Sequence, residues 1–93
     1  MSGINTIRRL TETDTDRIEA AALRFAARHG LGDIAPEHTG MDSAASYLDC
    51  HLHGGDDKRM TRLWQAAFCR ALGFRPCADL TIAFGYVGAR CRC

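Results

Sequence analysis

The densest concentration of chemically capable side chains in this chain is Cys50-His51-Leu52-His53. On a helix, Cys50 and His53 stand one turn apart at i, i+3, a spacing at which a thiolate and an imidazole can hold one soft divalent ion. Cys69, Cys77, Cys91 and Cys93 add further thiols. Structural zinc sites are built from two short-spaced pairs such as Cys-x2–4-Cys, each closing a knuckle, and that spacing is missing here. The pattern therefore predicts no metal site and no cofactor. Five cysteines is an odd number, and no apolar signal segment opens the chain, so reduced thiols are expected rather than a disulfide framework. Nucleophilic catalysis by Cys50 needs a histidine base within hydrogen-bond reach and a third group orienting that base. Neighbours on one helix rarely align in that way, and no catalytic residue is assigned. Cys91 and Cys93 lie among Arg90 and Arg92, whose guanidinium groups favour the thiolate.

The bulk composition confines the fold and the partners. With 46% hydrophobic and 25% charged residues in 93, the chain reads as a single small globular domain spanning residues 1–93. A domain of this size needs most of its apolar residues for its own core, which leaves the outer surface for function. A net charge of +1 argues against holding duplex DNA by general phosphate contact, which needs a concentrated basic face. No apolar run approaches the roughly 18 residues of a membrane span, so no membrane partner and a cytoplasmic location are expected. Much of the charge has a local reading: acids open the expected helices and Arg24, Arg28 and Arg70 close them, as the helix dipole favours.

The elements that must position these residues follow from periodicity and punctuation. Ile18, Ala21, Ala22, Phe25 and His29 recur at helical spacing and predict a helix over Thr13–His29, stopped by Gly30. Gly32, Pro36 and Gly40 mark a loop that holds at most one helical turn begun by Pro36. A second helix is predicted over Met41–His53, with Met41, Ala44, Ala45, Leu48 and Leu52 on one face. A third runs from Asp56 or Asp57 to Leu72, with Met60, Leu63, Trp64, Ala67, Phe68 and Ala71 as the widest apolar stripe. Trp64 and Phe68 are expected to anchor the core against Phe25 and Leu48. Helical geometry turns Cys50 and Cys69 away from these stripes, so each must meet another part of the protein, a partner or solvent. Leu80, Ile82, Phe84 and Tyr86 alternate with Thr81, Ala83, Gly85 and Val87, predicting one strand with one buried face. Residues Asn5–Leu10 are a candidate partner strand. The expected fold is α+β, three helices packed on a small two-stranded sheet or hairpin. An all-α bundle with an extended C-terminal tail is the alternative.

Thr6-Ile7-Arg8-Arg9-Leu10-Thr11-Glu12-Thr13-Asp14 followed by an amphipathic helix, and Ala71-Leu72-Gly73-Phe74-Arg75-Pro76 after a helix, resemble two short segments of the GNAT superfamily of acyl-CoA-dependent N-acetyltransferases. The resemblance covers about a quarter of the chain and implies a degenerate or minimal N-acetyltransferase. That family's diagnostic Arg/Gln-x-x-Gly-x-Gly/Ala loop, which holds the acyl-CoA pyrophosphate, is met only in part by Arg70-x-x-Gly73-x-Arg75. The leading functional expectation is instead a non-catalytic protein-binding module that occupies or masks a surface of a larger protein or protein complex. In size it matches small inhibitors, adaptors and phage-type anti-defence proteins such as anti-CRISPRs. A small zinc-stabilised domain is the third alternative. Interfaces are enriched in aromatic residues, Met and Arg, which selects Tyr47, Cys50, His51 and His53, bordered by Arg59 and Arg62, as the expected partner-binding surface.

Overall fold

The computed structural model describes residues 6–53, 55–76, 78–83 and 85–91. Strand β1 (Thr6–Arg9) leads into the long helix α1 (Glu12–His29), a one-turn α2 (Pro36–Thr39), α3 (Ala44–His53) and α4 (Lys58–Ala71), and the chain returns through strands β2 (Ala78–Ala83) and β3 (Tyr86–Cys91). The fold is α+β. The three strands form one antiparallel sheet in the order β1-β3-β2, so the segment after α4 is part of a sheet and not an extended tail.

Local chemistry sets the helix limits. Thr11 caps α1 through a capping box: its hydroxyl accepts from the Asp14 amide at 3.1 Å, and the Asp14 carboxylate accepts from the Thr11 amide at 3.0 Å. Gly30 ends the helix in the left-handed region at φ 65°, where a side chain would be strained. Helix α3 begins at Ala44, three residues later than the periodicity predicts. Ser43 supplies the reason, accepting from the Ser46 amide at 3.0 Å, and Met41 is left exposed. Asp57 opens α4 by accepting from the Met60 amide at 3.1 Å.

The core has two connected parts. Phe25, Ala22, Leu48, Leu52 and Trp64 are buried together between α1, α3 and α4. Trp64 is 2% exposed, with its ring edge-on to Phe25 and to Phe68, both at a centroid distance of 5.6 Å, as its place on the stripe predicts. Its indole nitrogen donates to the Asp49 carboxylate on α3, which satisfies the one polar atom that burial would otherwise strand. The second part joins helices to sheet: Ile18, Leu72 and Val87 are buried, with Phe68, Phe74 and Leu80 packed against them.

The apolar alternation predicted as one strand is divided in two. Ala83 pairs with Tyr86, so the chain reverses between them, and Gly85 takes φ 79°, as hairpin turns require. A two-residue turn places residues 83 and 86 opposite each other and therefore on one face, which inverts the parity of the pattern. Leu80 and Ile82 consequently share a face with Ala89 and Val87, while Tyr86 lies on the opposite face and is 49% exposed. Ile82, near the free edge of β2, is 47% exposed. Phe84 lies outside the described residues. Among the described residues no helix is long and apolar enough to cross a membrane.

Candidate functional site

The residues expected to form a partner-binding surface lie on α3 and the first half of α4. Tyr47 is half-buried and stacks on His51 at a centroid distance of 5.9 Å and an interplanar angle of 9°. Cys50 and His51 are exposed, and the side chain of His53 lies outside the described residues. Arg59 and Arg62 are exposed on the first half of α4. At i, i+3 the two are neighbours on α4, and Arg59 also shares a stripe with Leu63 and Arg70. Among the described residues no three His, Cys, Asp or Glu side chains are placed to hold one metal ion. Cys77 and Cys93, and the side chain of Cys91, lie outside that description. Cys69 turns away from the helical core and is nonetheless 1% exposed. The sheet covers it, and its thiol donates to the Ala78 carbonyl at 3.3 Å.

A more continuous surface is present on the other side of α4. An open groove of about 560 Å³ runs between α1 and α4, floored by Ala21, Phe25, Leu63 and Ala67 and rimmed by Arg24, Arg28 and Arg70, with His29 at one end. A second depression of about 300 Å³ adds Arg17 and Gly73 and shares Arg24, Arg70 and Ala71 with the first. The two are adjacent and meet at Arg24, Arg70 and Ala71. Leu63 belongs to the predicted apolar stripe yet is 37% exposed, because it lines the open groove between α1 and α4.

Arg24, Arg28 and Arg70 form no ion pair among the described residues, whereas Arg17 lies near enough to Asp14 to act on its carboxyl. No Asp or Glu lines either depression, and several carboxylates of the fold are engaged elsewhere. Glu19 leaves α1 to cap α3, accepting from the amides of Ala44 at 2.7 Å and Ala45 at 3.0 Å. Asp57 caps α4, Asp33 accepts from the Ala35 amide, and Asp49 holds Trp64. Asp14 is 3% exposed and accepts from Arg8 at 3.0 Å. The Thr11 amide is the main influence lowering the Asp14 carboxyl below its ordinary value of 3.8; the Thr11 side chain, Arg8 and Arg17 act in the same direction and burial opposes them. Arg8 also donates to the Leu72 carbonyl at 2.6 Å and lies 5.3 Å from the centre of the Phe74 ring. One guanidinium thus ties β1 to the start of α1 and the end of α4.

Chemically, the groove combines an apolar floor with several unneutralised guanidinium groups. Arg24 and Arg28 stand at i, i+4, where like charges repel by about 0.2–0.5 kcal/mol, and Arg70 adds a third positive charge from the facing helix. An anionic occupant would relieve that repulsion. The helix dipole accounts for Arg24, Arg28 and Arg70 one at a time, which hides their convergence in the sequence. A signal was nevertheless present: Arg24, Arg28 and Arg70 each lack Asp or Glu at i±3 and i±4, so none has a partner on its own helix. The convergence of α1 with α4 is tertiary and has no such signal. Compared with protein-family models, curated proteins and solved structures, the chain matches none of them.

Proposed function

We propose that this protein is a non-catalytic protein-binding module that occupies or masks a surface of a larger partner, and that α1 and α4 carry the binding face. The observation behind this reading is the groove itself: Leu63 and Ala67 stand open to solvent-filled space beneath Arg24, Arg28 and Arg70, and those arginines have no carboxylate partner among the described residues. Apolar contact area framed by arginine is the composition that distinguishes interfaces from ordinary surface. The Tyr47–His51 stack on α3 is a second exposed feature and serves as the internal comparison.

The test is capture of partners from cells that express the protein, using the tagged chain in three forms. Arg24→Glu combined with Arg70→Glu should abolish the capture while far-ultraviolet circular dichroism stays unchanged. Tyr47→Ala combined with Arg62→Ala should leave it intact. The reverse result moves the binding face to α3. Capture of nothing by the unaltered chain, together with acetyl-CoA binding in a calorimeter, would replace this reading by the N-acetyltransferase one.

A further inference from the structure

We infer that the groove between α1 and α4 seats an acidic amphipathic helix of a partner protein. This rests on the protein-binding reading above and specifies the chemistry of the occupant. Arg17, Arg24 and Arg28 lie on one stripe of α1, seven and four residues apart. At 1.5 Å per residue they span about 16 Å, or three helical turns. Arg70 faces them from α4. A partner helix laid along this groove would present carboxylates at the same spacings as the arginines and apolar side chains at i, i+3, i+4 and i+7 to Leu63 and Ala67, which is how helices enter grooves generally. Arginine forks take carboxylates in two parallel hydrogen bonds, so the rim fixes register as well as attraction.

The floor argues against a nucleic acid. Single strands are held by stacking bases on exposed aromatic rings, and the rings here are Phe25, which is buried at 6% exposure, and His29, already tilted against Phe25 at 4.3 Å. What remains open is aliphatic.

The probe is a synthetic 18-residue helix with leucine at i, i+3, i+4 and i+7 repeats and glutamate beside them, titrated into the isotope-labelled protein and followed by amide resonances. Two controls accompany it: a scrambled peptide of identical composition and a single-stranded oligonucleotide. Chemical-shift changes confined to residues 17–29 and 63–71, an affinity at least tenfold above both controls, and at least a tenfold loss on Arg24→Ala with Arg70→Ala would support the proposal. Equal binding of the scrambled peptide or the oligonucleotide would overturn it, since the groove would then be an unspecific polyanion site. Shifts centred on Tyr47 and His51 would overturn it as well, as would a dimer of this chain in sedimentation that Arg24→Ala and Arg70→Ala dissolve. If the peptide fails to bind while cellular capture still depends on Arg24 and Arg70, the occupant is wrong and the protein-binding reading stands. If capture fails too, both fall.

Discussion

Trp64 carries two obligations at once, an apolar contact with Phe25 and Phe68 and a hydrogen bond from its indole nitrogen to Asp49. Trp64→Ala removes both and leaves the Asp49 carboxylate without that donor. Truncating a buried aromatic costs about 3–5 kcal/mol, most of the stability of a small domain, so the variant should lack a cooperative thermal transition by circular dichroism. Asp14 predicts a pH dependence. Its carboxyl is held below the ordinary value in the folded state, so its contribution is fully present above pH of about 4, the unfolded value, and is lost as pH falls through the lower folded one. Asp14→Asn should lower the melting temperature at pH 7 and flatten its decline below pH of about 4, measured by differential scanning calorimetry against the unaltered protein. Glu19→Ala should cost about 0.5–2 kcal/mol, the usual loss of a helix cap. Chemical denaturation would show it, with Glu19→Gln intermediate because an amide keeps only one accepting oxygen.

At the scale of elements, the hairpin between β2 and β3 depends on Gly85 at φ 79°. Gly85→Ala should destabilise by about 1–2 kcal/mol through backbone strain alone, since a Cβ there would meet no atom within 4 Å. A larger loss in urea denaturation would mean that the turn is also packed against something. Helices were legible from periodicity and from punctuation such as Gly30 and Asp57, and the stripes through Phe25, Leu48 and Trp64 announce the buried faces; the start of α3 was missed because the Ser43 cap sets it and the periodicity does not. The division of 78–91 into two strands was not legible from alternation, because a two-residue turn preserves the period while exchanging the faces. The α3 surface was chosen from residue types, and those types are indeed outward at Cys50 and His51. The arginine groove escaped that reading because it is formed by two helices with 28 residues between them, joined only in the folded state.

Taken as a whole, the molecule combines a helical core of Phe25, Leu48 and Trp64 with a helix-to-sheet core of Ile18, Leu72 and Val87. Both are apolar, and Cys69 is packed as part of the α4–β2 contact. Removal of divalent metal with a chelator should therefore leave the circular dichroism spectrum and the melting temperature unchanged. Cooperative loss of helix with release of one equivalent of zinc would show that the thiols outside the described residues complete a structural site.

The pairing of β1 with β3, Thr6 opposite Ala89 and Arg9 opposite Tyr86, also governs how the chain is made. On a ribosome β1 emerges first, and the strand it pairs with among the described residues follows about 80 residues later, a wait of roughly 4–16 s at 5–20 residues per second. The helical core can consolidate in that interval, since its contacts lie between residues 21 and 64. Ile7, 66% exposed even in the finished fold, sits meanwhile on a strand with both edges unpaired, the form most open to pairing with another chain. Arg8 and Arg9 follow it on that strand, and like charges on an exposed edge oppose such pairing.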